Sequence, residues 1–317
     1  MSTEPQSLLL RLDAVEQAAR DIRIFRFKPA NGGTLPPASP GAHIDLEIAP
    51  GMTRQYSLVD LDPSGSTYSI AVQRQPNGRG GSESLHAQAT IGTEYRAHAP
   101  RNTFPLSERQ GESVLFAGGI GVTPLLTHYN ALRTRGEAVR LFYWARTSDA
   151  FLHHATLAAD PNVTLYATEE MTAPRLEALL PDIDPSAQLY CCGPVRMLEA
   201  FNRATADRAA DCLHTEYFEA PAAAPGTCSA PFRVTLARQN RTLEIGAEQT
   251  ILDACLAAGI DVPYSCEEGV CGACQVRVLE GGVDHRDTVW PAATHEREST
   301  MIICCSRASG DSLVLDI

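Results

Sequence analysis

No apolar run in this 317-residue chain approaches the ~20 residues that a membrane-spanning helix needs. The first twenty residues carry Glu4, Asp13 and Glu16 and no long apolar core, so a secretory signal is not expected. Basic charge is also short. Lys and Arg number 26 against 38 Asp and Glu, a formal net charge of −12, which disfavours nucleic acid and suits a basic protein partner. No internal repeat is visible, and low complexity is confined to Ala220-Pro-Ala-Ala-Ala-Pro-Gly226, which reads as a semi-stiff linker. With 44% hydrophobic and 20% charged residues the chain is globular, and its length calls for two or three domains. The ten cysteines, in a large chain without a signal, read as reduced thiols and a cytoplasmic home.

Four of those cysteines have a spacing of their own: Cys266-Glu-Glu-Gly-Val-Cys271-Gly-Ala-Cys274 and, far downstream, Cys304. C-x4-C-x2-C followed by a distant fourth cysteine is the plant-type ligand pattern of a [2Fe–2S] cluster. A loop wrapping such a core must turn tightly, and Gly269 and Gly272 supply positive φ without steric cost. The alternative is a structural zinc site, which usually pairs C-x2-C with a second close pair. Only the adjacent Cys304 and Cys305 lie downstream, and on a strand Met301–Cys304 neighbouring residues would face opposite ways. Cys191, Cys192, Cys212, Cys228, Cys255 and Cys305 remain, as small buried hydrophobes.

From Ser7 to about Gly92 the pattern is β. Leu8, Leu10 and Leu12 alternate with Leu9, Arg11 and Asp13, and Ile44, Leu46 and Ile48 with Asp45, Glu47 and Ala49. Short strands at this spacing, broken by Gly- and Pro-rich turns, predict an antiparallel barrel or sandwich. Two clusters interrupt it, Arg54-Gln-Tyr56-Ser57 and Asn77-Gly-Arg79-Gly80-Gly81-Ser82. Ser82 is placed to cap a helix over Glu83–Ala89, whose N-terminus could bind phosphate through backbone donors with Arg54 adding charge. A plain turn and an ordinary strand would look the same.

From Glu112 the grammar becomes strand–helix alternation. Apolar runs at 113–117, 139–144, 163–166 and 188–191 alternate with helical patterns at 124–135, 150–159, 174–180 and 194–209, which predicts a parallel, doubly wound α/β sheet. The first turn, Gly118-Gly119-Ile-Gly121-Val-Thr123-Pro124, places Thr123 at an N-cap and leaves room for a pyrophosphate, although it is not the G-x-G-x-x-G fingerprint. Cys191-Cys192-Gly193-Pro194 lies where a second parallel strand meets its helix, the edge at which such sheets bind ligands. After the linker, Phe232, Val234 and Leu236 and then Leu243 and Ile245 alternate on two strands. Thr250 with Asp253 forms a capping-box start to the next helix, which Gly259 ends.

These motifs, in this order and over nearly the whole chain, resemble the ferredoxin–NADP reductase superfamily. The closer likeness is to the phthalate dioxygenase reductase type, whose N-G-R-G-G-S, G-G-x-G-x-T-P and C-G-P runs this chain matches. The stretches Asp284-His-Arg-Asp287 and Ile303-Cys304-Cys305-Ser-Arg-Ala also look like that family. The resemblance implies three domains: a flavin β-barrel over 1–107, an NAD-binding α/β domain over 108–222 and an α+β ferredoxin-like (β-grasp) domain over 223–317. It implies that Arg54, Gln55, Tyr56, Ser57, Val72, Arg79, Gly80, Gly81, Ser82 and Phe218 hold the flavin. Gly118, Gly119, Gly121, Thr123, Arg146, Gly193 and Pro194 would hold the nucleotide, with Cys192 beside the nicotinamide. Cys266, Cys271, Cys274 and Cys304 would hold the cluster. Nothing over 74–90 looks like an adenosine-binding element, so FMN is expected over FAD. Hydride from NADH arrives as two electrons and the cluster takes one, so the flavin must stand between them. No Rieske C-x-H…C-x2-H pattern occurs, so the acceptor is expected to be a separate, Rieske-type oxygenase. A monomer without nucleic-acid or membrane partners is expected. An FAD-dependent reductase and a redox-sensing module are the alternatives.

Overall fold

In the first hundred residues, period-two alternation becomes a closed barrel. The computed structural model describes residues 7–221 and 230–317; Cys228 and most of the expected linker lie outside the described residues. The barrel strands are β1 (Ser7–Ala19), β2 (Ile22–Pro29), β3 (His43–Ala49), β4 (Met52–Leu61), β5 (Tyr68–Gln73) and β6 (Glu94–His98), with helix α1 (Gly81–Gln88) between the last two. They close in the antiparallel order β1-β2-β5-β4-β3-β6. Leu10, Phe25, Phe27, Ile44, Leu46, Leu58 and Ile70 are fully enclosed, while Leu9, one residue out of phase, stays 48% exposed. Each such burial stabilises by roughly 1.5–3 kcal/mol, more than the ~1 kcal/mol spanned by strand propensities. Sidedness therefore sets the register.

The α/β part comprises β7 (Ser113–Gly118), α2 (Val122–Thr134), β8 (Val139–Ala145), α3 (His154–Ala158), β9 (Val163–Ala167), β10 (Gln188–Cys192), α4 (Val195–Ala204) and β11 (Leu213–Glu216). All five strands run parallel in the order β11-β10-β7-β8-β9. Two helical expectations shorten and a third changes type. At 150–159 only α3 is α-helical, because Phe151 is extended and His153 turns at φ 56°, which buries both Phe151 and Leu152. At 174–180 the helix is 3-10 over Leu176–Asp182, with Pro181 inside it unable to donate to an α ladder. The expected 194–209 helix stops at Ala204, where buried Thr205 turns its hydroxyl onto the Phe201 carbonyl.

The chain divides into two compact units, one ending at Glu216 and one beginning at Tyr217, and the barrel and the parallel sheet share the first. Helix α2 joins them: Leu125 and Leu126 share one core with the barrel residues Ile22, Ile24, Val59 and Ala71. The Gly41 N–H donates to Thr127 Oγ1 at 2.9 Å.

The second unit holds β12 (Phe232–Leu236), β13 (Arg241–Ile245), α5 (Ile251–Ala257), β14 (Gln275–Glu280), β15 (Val283–Asp284), α6 (Ala292–Glu298), β16 (Thr300–Ile302), β17 (Arg307–Ala308) and β18 (Ser312–Leu315). Its mixed sheet runs β13-β12-β18-β14-β16, with β12 and β18 parallel, and β15 pairs with β17. The capping box at α5 forms as expected: Asp253 N–H donates to Thr250 Oγ1 at 3.0 Å, and Thr250 N–H to Asp253 Oδ2 at 3.1 Å. No helix among the described residues is long and apolar enough to cross a membrane.

Candidate functional site

On the barrel, the two interrupting clusters meet. Arg54 on β4 donates through Nη2 to the Arg79 carbonyl and through Nη1 to the Thr53 carbonyl, both at 2.8 Å. Its stem lies against Gly81, the first residue of α1, where a β-carbon would stand 2.7 Å from Arg54 Cγ. Gly80 precedes it at φ 79°, and no side chain caps the helix. This corrects the expected role of Ser82. The helix starts two residues earlier, and Ser82 Oγ instead accepts the Gln75 N–H at 3.1 Å, closing the loop between them. An uncapped helix start beside a guanidinium fits the phosphate of a flavin nucleotide. Tyr56, opposite Ile44, packs against the barrel core, and burial pushes its phenol up, so it stays a neutral hydroxyl. Gln55 and the buried Ser57 pair with Asp45 and His43 of β3. The Val72 carbonyl on β5 lies 2.8 Å from His86 Nε2, fastening α1 to the barrel.

In the parallel sheet, the ends of β7 and β10 lie side by side, Ala117 opposite Cys192. A β-carbon on Gly121 would fall 2.4 Å from the Cys192 carbonyl oxygen, and one on Gly118 would fall 2.7 Å from Pro194 Cδ and Met197 Sδ. Gly118, Gly121, Gly193 and Pro194 thus form one tight crevice at the strand ends, while Gly119 opens outward at φ 55° with nothing within 4 Å of its missing side chain. Such an edge suits a dinucleotide's phosphates. Thr123 is not the N-cap: a 3-10 turn over Gly119–Gly121 leads into α2, which begins at Val122, and Thr123 Oγ1 donates to the Ile120 carbonyl at 2.9 Å. Arg146 is exposed just beyond β8.

Cys192 is fully enclosed. Burial, and after it the neighbouring Glu216 and Cys191, push its thiol far up, so it is a neutral thiol at ordinary pH. Its partner in the β10–β11 register is Glu216, a residue that sequence reasoning left without a role. Burial raises the Glu216 carboxyl from 4.5 to about 8, and its Oε2 has no hydrogen-bond partner among the described residues. Nothing local in Leu213-His-Thr-Glu216 announces this; only the parallel pairing sets the acid against Cys192.

In the second unit, the thiols of Cys266, Cys271, Cys274 and Cys304 are all buried and converge. Cys266 meets Cys271 and Cys304, and Cys304 meets Cys274. Backbone N–H groups point at the sulfurs, Glu268 to Cys266 Sγ at 3.3 Å and Ala273 to Cys271 Sγ at 3.4 Å. Crowding by the Cys266 thiol, and then burial, push the Cys271 thiol up, so thiolates can coexist here only beside a cation. That donor set fits an iron–sulfur core. One expectation is corrected: β16 ends at Ile302, and Cys304 and Cys305 sit on a turn in which the Ser306 N–H reaches the Ile302 carbonyl at 3.0 Å. Strand alternation therefore does not separate the two thiols. Cys304 meets Cys266 and Cys274 as well as its neighbour Cys305, whereas Cys305 Sγ fills the space a Gly269 side chain would take. Phe218 lies near the start of this unit, 37% exposed, and Tyr217 packs against Cys266, Val270 and Cys271.

Residues 234–309 match a family described as the 2Fe-2S iron-sulfur cluster binding domain. The chain is 40% identical over 314 residues to the phenoxybenzoate dioxygenase subunit beta of Ectopseudomonas oleovorans, covering 97% of each chain. Among solved structures it is similar to phthalate dioxygenase reductase, described as a modular structure for electron transfer from pyridine nucleotides to [2Fe-2S] (33% identity, 98% of each chain, TM-score 0.70). It is also similar to an intact type IV self-sufficient cytochrome P450 monooxygenase (35% identity, TM-score 0.92), of which it spans 41%.

Proposed function

Because the chain belongs to the phthalate dioxygenase reductase-like family of three-domain reductases, we propose that it draws electrons from NADH through FMN and delivers them to a separate, Rieske-type oxygenase. The chain is an oxidoreductase that carries electrons from a pyridine nucleotide through a flavin to a [2Fe–2S] cluster, the reductase of a multicomponent oxygenase. When bound, the flavin supplies the exchange between hydride and single electrons, and the cluster supplies the one-electron outlet.

The chain's own residues divide the work over domains 1–107, 108–222 and 223–317. Arg54 and the uncapped start of α1 hold the flavin phosphate, with Gln55, Tyr56, Ser57, Val72, Arg79, Gly80, Gly81 and Ser82 around it and Phe218 against its ring. The absence of any adenosine-binding element over 74–90 supports FMN. Gly118, Gly119, Gly121, Thr123, Gly193 and Pro194 seat the nucleotide phosphates and Arg146 the ribose. Cys192 and Glu216, one an enclosed thiol and the other a protonated acid near neutral pH, keep charge and water from the crevice floor. Cys266, Cys271, Cys274 and Cys304 ligate the cluster. An aromatic compound, as in the phenoxybenzoate and vanillate systems of the relatives, is the oxygenase's substrate class. The protein is cytoplasmic and monomeric.

The observation that carries this reading is the convergence of four buried thiols, with N–H donors aimed at them, on the same chain as a glycine-lined crevice at parallel strand ends. Adding NADH to the coloured protein should bleach its visible absorbance, and heat should release one FMN per chain. An inert spectrum would favour a redox sensor, and stoichiometric FAD would remove the FMN assignment.

A further inference from the structure

Behind the cysteine loop lies a buried carboxylate that the electron path does not use. The side chains of Asp287 and His295 are both fully enclosed, with His295 Nε2 2.9 Å from Asp287 Oδ2. The same oxygen accepts the Val289 N–H at 3.1 Å and the Trp290 N–H at 3.3 Å, and Ser306 Oγ donates to Oδ1 at 3.5 Å. His295 Nδ1 lies 2.9 Å from Thr300 Oγ1, whose hydroxyl can donate to it while Nε2–H donates to Asp287, contacts that an uncharged imidazole can make in full. The His285 ring stacks on His295, centroids 4.6 Å apart and 6° from parallel.

Asp287 joins the two chain segments that carry the four cysteines. The Thr288 N–H donates to the Gly269 carbonyl at 3.0 Å, inside the C-x4-C loop. A β-carbon on Gly269 would lie 3.3 Å from Asp287 Cα and 2.6 Å from Cys305 Sγ. On the other side, Ser306, two residues from Cys304, donates to the carboxylate and accepts the Arg286 N–H at 3.2 Å. His285, Asp287 and His295 each bring a ligand-type atom within 4.8 Å of the others, which invites a metal-site reading. Oδ2 already accepts three N–H groups, however, so its lone pairs are spent on the protein.

We propose that Asp287, locked by His295, is a positioning residue for the iron–sulfur cluster: it clamps the cysteine loop to the Cys304 turn and, as a buried anion behind both, holds the cluster's reduction potential down. The inference rests on the four-cysteine assignment. A fixed negative charge opposes the arrival of an electron, and at an effective dielectric of about 20 one charge ~10 Å away changes the reduction equilibrium roughly tenfold or more.

The test is a redox titration of the full-length holoprotein, followed by the electron paramagnetic resonance signal of the reduced cluster. Asp287→Asn keeps the shape and an acceptor for Val289, Trp290 and His295 but removes the charge. Its midpoint should rise by the equivalent of about tenfold, ~59 mV for one electron. His295→Gln, which keeps the carboxylate and an N–H for it, should stay within about threefold of the wild type. Asp287→Asn holding a full cluster at the wild-type potential overturns the proposal, as does His295→Gln moving it equally far. If Asp287→Asn purifies without a cluster, Asp287→Ser, uncharged and still able to accept the two backbone N–H groups, carries the same measurement. Loss of the cluster from both variants with flavin retained supports the clamp. A wild-type protein lacking the [2Fe–2S] signal would instead overturn the cysteine assignment.

Discussion

Gly81 and Arg54 pack with no space between them: a β-carbon on the glycine would lie 2.7 Å from Arg54 Cγ and 3.1 Å from its Nε. The glycine lets the guanidinium cross under the start of α1 and reach the Arg79 carbonyl. Gly81→Ala should therefore push Arg54 aside and weaken flavin binding at least tenfold, about 1.4 kcal/mol. Arg54→Ala, which removes a charged donor worth about 1.5–3 kcal/mol, should weaken it ten- to a hundredfold. Fluorescence titration of the flavin-stripped protein measures both. Wild-type affinity in Gly81→Ala would show that the flavin lies elsewhere.

The approach of Gly121 to Cys192 concerns backbone on both sides, so it cannot yield as a side chain can. Gly121→Ala should raise the KM for NADH at least tenfold. Overpacking should also cost about 1–3 kcal/mol of stability. Stopped-flow reduction of the flavin by NADH reads the first effect and thermal melting the second. Unchanged reduction kinetics would detach this turn from nucleotide binding.

Glu216 gives a pH signature. Its carboxyl sits at about 8 when folded and at 4.5 when exposed, so between these values the folded chain holds the extra proton. Stability attributable to this group must fall as pH rises from about 4.5 to about 8, by up to about 1.4 kcal/mol per pH unit. Glu216→Gln should flatten that slope and be the more stable form at pH 8. Melting curves that run parallel for the two proteins across this range would place the titration on another group.

Cys304→Ala should abolish the cluster, while Cys305→Ala should keep it, because only Cys304 meets Cys266 and Cys274. Iron and acid-labile sulfide analysis of each variant decides the point. The reverse pattern would make Cys305 the ligand.

The order of the parts, the sidedness of the barrel strands and the cysteine pattern were all determined by the sequence alone, because each rests on spacing within a few residues. Period-two burial at Leu10 and Leu12, the Thr250–Asp253 capping box and the C-x4-C-x2-C loop depend on local geometry that no distant contact overrides. Helix starts were less legible. Ser82 and Thr123 have the right chemistry for N-caps, but α1 and α2 begin before them, since left-handed Gly80 and the 3-10 turn at Gly119–Gly121 set the entry instead. A cap depends on backbone angles that residue type only biases.

What tertiary structure alone decided lies in contacts between distant segments. Arg54 reaches the Arg79 carbonyl because barrel closure brings β4 beside the turn after β5. Glu216 becomes a raised, enclosed acid because parallel pairing sets it against Cys192, 24 residues earlier. Asp287 touches the Gly269 loop and the Ser306 turn only once both have folded around it. The barrel and the parallel sheet form one unit because α2 buries Leu125 and Leu126 in a core shared with both. Burial and charge are properties of a site's whole surroundings, and the chain assembles those surroundings from segments whose spacing in sequence carries no trace of their meeting.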